Sequence, residues 1–275
     1  MKKLGILYNP KLSAALPLAR ELEAEMRAAR AEVWVCSSWE EEMARQQISG
    51  TELVFSVGGD GTVLRSARIV APWPIPILGV NLGRLGFMTE LGAEEVRDRL
   101  PQVLAGEGWV EARARLGVEL LGGRPQELPS ALNDVMVGRG ATPRVVSIET
   151  IIDGQPLTTF VADGLIVATP TGSTAYTLAA GGPIVHPSVE AILLQPLAVH
   201  INLKAPLLLP ADAVVELLIH SEHSAVLSVD GQVNIEVSSG DRIRVKRSPH
   251  HTRFLRLHPP GSYYGRLAQR LCLGQ

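Results

Sequence analysis

The first hundred positions alternate between two hydrophobic periods. Leu4-Gly5-Ile6-Leu7-Tyr8 is an apolar run closed by Asn9-Pro10. Val33-Trp34-Val35-Cys36 is a second, Leu53-Val54-Phe55-Ser56-Val57 a third halted by Gly58-Gly59, and Ile75 to Val80 a fourth. Short continuous runs bounded by turn residues predict buried strands. Between the first two, Ser13 to Arg30 puts Leu16, Ala19, Leu22 and Met26 on one face and charges on the other, which predicts an amphipathic helix. Helices are also expected over Glu40–Gln47, Thr62–Val70 and Ala93–Leu104. Strands alternating with helices, and apolar throughout, imply a parallel sheet covered on both faces.

The texture changes after Gly106-Glu107-Gly108. Short apolar or alternating runs recur at Leu116–Leu121, Ala131–Val137, Val145–Ile152, Leu165–Ala168, Leu207–Leu209, Val214–Ile219, Ala225–Val229 and Ile243–Val245. Asp153-Gly154, Asp163-Gly164, Asp230-Gly231 and Gly240-Asp241 supply turns between them. Ser188 to Gln195 reads as a short helix and Tyr263 to Leu271 as a helical tail. The expected organisation is an α/β N-terminal domain with a parallel sheet (1–108), then a mainly antiparallel β-sandwich domain (109–255). The tail (256–275) is expected to pack back on the first domain.

Hydrophobic residues make up 46% of the chain and charged residues 20%, enough apolar content for a sizeable core. An aromatic content of 4% argues against a stacking surface for single-stranded nucleic acid. A net charge of −2 leaves no broad basic field for DNA or an anionic membrane, whereas a small anion needs only a few local cations and amides. Cys36 and Cys272 form no CxxC pair, as expected of reduced thiols. There is no secretory signature, and no apolar run approaches the roughly 18 residues of a membrane helix. The expectation is a soluble, cytoplasmic protein without nucleic-acid or membrane partners.

The candidate chemistry centres on Gly58-Gly59-Asp60-Gly61-Thr62, where a buried strand opens into a helix. In parallel α/β sheets, ligands sit beyond the carboxyl ends of strands. Glycines let main-chain N–H groups approach a phosphate, and the helix dipole favours an anion. A carboxylate there has either a task, such as taking a proton or meeting a nucleotide-borne metal, or a capping role in a plain turn. GxxxxGK[ST] and GxGxxG are both absent. Arg65 and Arg68 follow on the helix, able to reach a triphosphate or to serve as surface charges.

GGDGT after an apolar strand resembles the nucleotide loop of NAD kinases, of diacylglycerol and sphingosine kinases and, more distantly, of phosphofructokinases. Three further segments resemble NAD kinases specifically. Asn81-Leu82-Gly83-Arg84-Leu85-Gly86-Phe87-Met88 is similar to NxGxLGFL, with Met88 in place of leucine. Leu132-Asn133-Asp134-Val135 is similar to the family's Asn-Glu/Asp motif. Asp163 to Tyr176, continuing through Gly181-Gly182-Pro183-Ile184-Val185-His186-Pro187, is close to DGxxxxTPxGSTAYxxxxGGPIxHP. Val161 stands where some members carry a basic residue.

The resemblance implies transfer of the γ-phosphate of ATP to the 2′-hydroxyl of the adenosine ribose of NAD. It makes Asp60 the general base. It gives Gly58, Gly59, Gly61, Thr62 and Arg65 to the ATP phosphates. It assigns the dinucleotide to Asp60, Gly61, Arg65, Asn133, Asp134, Arg144, Asp163, Thr174, Ala175, Tyr176, Thr177, Leu178, Ala179, Ala198 and Gln232. It further implies Mg²⁺ or another divalent cation carried in with ATP, no metal held by protein alone, and a homodimer or homotetramer. A lipid kinase sharing the loop and an NAD(P) sensor without turnover are the alternatives. His220, His223, His250 and His251 lack the fuller ligand set of a metal site, and His186 reads as structural.

Overall fold

Six residues buried without a break, Leu53–Gly58, form the centre of the first sheet. Around this strand, β3, the chain runs β1 (Lys3–Tyr8), α1 (Ala15–Ala28), β2 (Glu32–Ser37), α2 (Glu41–Gln47), then α3 (Asp60–Val70), β4 (Pro76–Asn81), the two-residue β5 (Leu91–Gly92), α4 (Ala93–Ala105) and β6 (Trp109–Arg113). The computed structural model describes residues 2–83, 86–122, 126–140, 144–199, 203–221 and 223–271. Cys272, Arg84, Leu85 and His200 lie outside them.

Helix α1 buries Ala15, Leu18, Ala19, Leu22 and Met26, a stripe at helical spacing. Leu16, expected on that stripe, is exposed. Helix α4 ends at Gly106, whose φ of +83° suits a residue without a β-carbon.

Among the described residues twelve strands follow. They are β7 (Leu116–Leu121), β8 (Gln126–Ala131), β9 (Asp134–Arg139), β10 (Val146–Ile152), β11 (Gln155–Ala162), β12 (Gly164–Ala168), β13 (Ala191–Leu197), β14 (Leu207–Pro210), β15 (Val215–Ile219), β16 (Ala225–Val229), β17 (Val233–Val237) and β18 (Arg242–Arg247). The four-residue helix α5 (Tyr176–Ala179) lies between β12 and β13. Ser188–Gln195, expected to be helical, instead leads into β13. That strand is buried at every position and pairs with β12 and β14, so sheet pairing overrides local preference. Finally β19 (Thr252–Arg256) and α6 (Tyr263–Leu271) close the chain.

The chain divides into two units, Met1–Ala112 with Thr252–Gln275, and Arg113–His251. In the first, the strand order is β2-β1-β3-β4-β19-β6, and β5 also pairs with β4. The pairs β1–β2, β1–β3, β3–β4, β4–β19 and β4–β5 are parallel. In the second, two sheets of order β11-β10-β15-β18-β7-β8 and β14-β13-β12-β9-β16-β17 enclose one apolar core, which includes Val118, Ile148, Phe160, Val137, Val167 and Leu227. Alternation of buried and half-buried positions along β10 and β15 is the mark of sheets with one dry face.

Candidate functional site

In the first unit the loop after β3 is shorter than its sequence suggests. Helix α3 begins at Asp60, two residues before the expected Thr62, so only Gly59 separates strand from helix. Thr62 is buried. Its N–H donates to Gly59 O (2.9 Å), and its hydroxyl accepts from Gly59 N–H (3.4 Å). Thr62 therefore shapes the turn. A β-carbon at Gly59 or Gly61 would meet nothing, so this side of the loop is open.

The Asp60 carboxylate is held by the second glycine segment. Phe87 N–H donates to Oδ2 (2.6 Å), and Met88 N–H (2.9 Å) and Thr89 N–H (3.4 Å) donate to Oδ1. A β-carbon at Gly86 would collide with this carboxylate. Two motifs recognised separately thus form one device. The segment is anchored further, as Leu82 N–H donates to Gly58 O (2.9 Å) and the Asn81 side chain closes a turn onto Gly83.

Behind it lies a charge network that sequence reasoning missed. Glu90 is fully buried and accepts from Arg256 (3.1 Å), Arg266 (2.7 Å) and the N–H groups of Leu257 (3.0 Å) and His258 (2.8 Å). Burial pushes its carboxyl up, but Arg256, the His258 N–H and Arg266 outweigh this and bring it down to about 2. The network fastens α6 beside the segment that holds Asp60. From α6, Arg270 lies over the Phe87 ring (5.0 Å) and donates to Thr89 O (3.5 Å). Burial lowers its pKa to about 10, against the opposing pull of Asp60.

In the second unit, Asn133 and Asp134 are buried at the start of β9. Asp230 fixes them, accepting from the N–H groups of Leu132 (2.8 Å), Asn133 (2.7 Å) and Asp134 (3.1 Å). Asp230 and Gly231 both have positive φ, 52° and 64°, in the hairpin turn that also carries Gln232. Burial and the neighbouring Asp230 push the Asp134 carboxyl up to about 7.

The threonine-rich stretch wraps this pair. Thr169 N–H donates to Asn133 O (2.8 Å), its hydroxyl donates to Leu132 O (2.6 Å), and Gly172 packs where a β-carbon would strike the Asn133 carbonyl. Ser173 ties the stretch to Val185. Thr174 and Ala175 lead into α5, where Tyr176 is exposed and Thr177 buried, with Leu178 and Ala179 completing the turn. Among the described residues Asn133 Oδ1 and Thr177 Oγ1 are buried without a hydrogen-bond partner.

The sheet divides the remaining residues from this group. In register, Ala168 faces Asp134 while Gly164 faces Gly138 and Leu197. Asp163 and Ala198 therefore stand at the far end of β12, five residues from Asp134's partner Ala168. There Asp163 pairs with Arg139 (3.5 Å) and Ala198 is exposed with φ +44°. Arg144 is exposed two residues before β10, whose Val146 pairs with Ala162 beside Asp163.

The match to known proteins follows both halves. The ATP-NAD kinase N-terminal domain matches residues 4–108, and the ATP-NAD kinase C-terminal domain matches residues 132–257. The chain belongs to the ATP-NAD kinase family. It is 42% identical over 275 residues to an NAD kinase of Dehalococcoides mccartyi (strain CBDB1), covering 98% of this chain and 96% of the relative. An NAD kinase of Chloroflexus aggregans is also 42% identical, over 98% of this chain and 99% of its own. The kinase superposes on yeast NADH kinase complexed with NADH with a TM-score of 0.90 at 25% identity, over 100% of this chain and 88% of that one. An Archaeoglobus fulgidus NAD kinase in complex with ATP shares the fold, with a TM-score of 0.80 at 24% identity and full coverage of both chains. The kinase transfers the γ-phosphate of ATP to the 2′-hydroxyl of the adenosine ribose of NAD, giving NADP. No described helix is long and apolar enough to cross a membrane.

Proposed function

We propose that Asp60 is the general base that takes the proton of the ribose 2′-hydroxyl. The observation that carries this is its carboxylate, fixed at the N-terminus of α3 by the three N–H groups of residues 87–89. An oriented carboxylate beside an open glycine turn aligns a hydroxyl for in-line attack and accepts its proton. Gly58, Gly59 and Gly61 give the phosphates close access to main chain and helix dipole, with Thr62 shaping the turn and Arg65 adding charge.

Asn133 and Asp134 bind the adenosine of NAD. The unpartnered Asn133 Oδ1 supplies an acceptor for an adenine amino group, and a buried atom of that kind is costly until a ligand meets it. Thr174, Ala175, Tyr176, Thr177, Leu178, Ala179 and Gln232 line the same side. Asp163, Arg144 and Ala198 stand at the other end of the sheet. We assign them to the dinucleotide site of a neighbouring copy, which makes the working enzyme a homodimer or homotetramer.

Among the described residues no three His, Cys, Asp or Glu gather as metal ligands. Mg²⁺ or another divalent cation would fit as a companion of ATP, with Asp60 the carboxylate of the turn able to face it, and would supply neutralising charge to the phosphates. A cytoplasmic setting agrees with the free, buried Cys36 thiol.

The test is NADP formation from NAD, ATP and Mg²⁺, read with an NADP-specific dehydrogenase, alongside sedimentation of the same sample. Product from an oligomer supports the reading. A fully active monomer overturns the shared site, and an Asp60→Asn variant that keeps the parent's turnover in the same assay overturns the base.

A further inference from the structure

Three neighbouring parallel strands, β2, β1 and β3, bring three side chains to one edge of the first sheet. Trp39 follows the end of β2, Lys11 the end of β1, and Arg65 lies on α3 after β3. Lys11 Nζ sits 4.3 Å from the centroid of the Trp39 ring and Arg65 Cζ 4.0 Å from it. Trp39 is 47% exposed, so the ring that carries both cations faces solvent.

The neighbouring arginines are neutralised. Arg68 and Arg45 share Glu41 at 2.9 Å and 3.0 Å. Lys11 and Arg65 form no ion pair among the described residues, although both lie at the anion-favouring edge of the sheet. Burial lowers the Arg65 pKa, and Arg68 lowers it further. A nearby anion would relieve both effects. Lys11 is placed firmly, because its N–H donates to Asn9 Oδ1 (3.0 Å) and Asn9 N–H donates to Val57 O (3.0 Å), at the end of β3.

We propose that Lys11 and Arg65, parked on Trp39, form a cation clamp for the polyphosphate chain of the donor nucleotide. This rests on reading the Gly58–Thr62 turn as the phosphate site and adds to it a lysine and a positioning indole. Cation–π contacts at exposed sites are weaker than charge-assisted hydrogen bonds to phosphate. The nucleotide therefore draws both cations off the ring. Without it, the ring keeps them pre-placed and close to the turn, which reduces the ordering cost of binding.

The experiment compares Lys11→Met, Trp39→Leu, Trp39→Phe and Gly59→Ala with the parent enzyme, after melting curves confirm that each folds. Lys11→Met and Trp39→Leu should each raise KM for ATP by roughly 10-fold, as expected for a lost charge-assisted contact. KM for NAD should stay within about twofold, and Trp39→Phe, which keeps a ring, should restore most of the loss. ATP and tripolyphosphate should change the parent's tryptophan emission, AMP should not, and the change should vanish in Trp39→Phe. Unchanged KM for ATP in Lys11→Met, or an equal rise in KM for NAD, overturns the clamp. Gly59→Ala reads the turn separately, since a methyl there meets no protein atom and obstructs only a phosphate. If it raises KM for ATP while Lys11→Met does not, the clamp fails and the phosphate turn stands.

Discussion

Phe87 holds Asp60: its main-chain N–H donates to the carboxylate at 2.6 Å, and Gly86 beside it leaves no room for a β-carbon. Gly86→Ala should therefore displace the Asp60 carboxylate without touching the sheet. We expect kcat to fall by roughly 10²-fold, as for misplacement of a catalytic group, with the melting temperature little changed. Steady-state kinetics and a thermal melt check this. An alanine variant with parental kcat would show that the contact does not orient the base.

Glu90 gives an acid-side prediction. Its folded pKa is depressed from 4.5 to about 2. A depressed carboxyl stabilises the fold above its unfolded pKa and loses that contribution as pH falls through the folded value, here between about 4.5 and about 2. The contribution is on the order of 3 kcal/mol. Denaturant unfolding across that window should show Glu90→Gln less stable than the parent near neutrality, with the gap closing towards about pH 2. A constant gap would mean that packing, not charge, makes the difference.

Asp134 moves in the opposite direction, raised from 3.8 to about 7. A carboxyl whose folded pKa is raised favours the fold below its unfolded pKa, and that advantage is lost as pH rises through about 7. The ligand-free kinase should lose melting temperature between about pH 4 and about pH 7 and level off above that, and Asp134→Asn should flatten the decline. Asp230 and Arg115 share this environment, so Arg115 must be intact in the comparison. An identical decline in Asp134→Asn would assign it elsewhere.

Much of this was legible in the chain. The unbroken burial of β3, the helical stripe of α1 and the turn at Asp153-Gly154 followed from period and turn chemistry alone. Strand β13 was not, because seven buried residues without alternation fit a helix as well as a strand. Strand β8 carries Pro129 and is exposed at half of its positions, so its pairing with β7 decides it. The site motifs could be read as motifs, but not what joins them. Asp230 reaches Leu132 across 98 positions and Glu90 reaches Arg256 across 166, and no local pattern announces such pairs. The helix start at Asp60 was likewise hidden, since glycines obscure where helical backbone begins.

The most direct measurement is the turnover of Asp60→Asn beside its affinity for NAD. The amide keeps the size of the side chain but accepts no proton at neutral pH. With Asp60 as the base, kcat falls by roughly 10²- to 10⁴-fold while the Kd for NAD stays within about threefold of the parent. Turnover within about twofold of the parent, at unchanged affinity, would contradict that role.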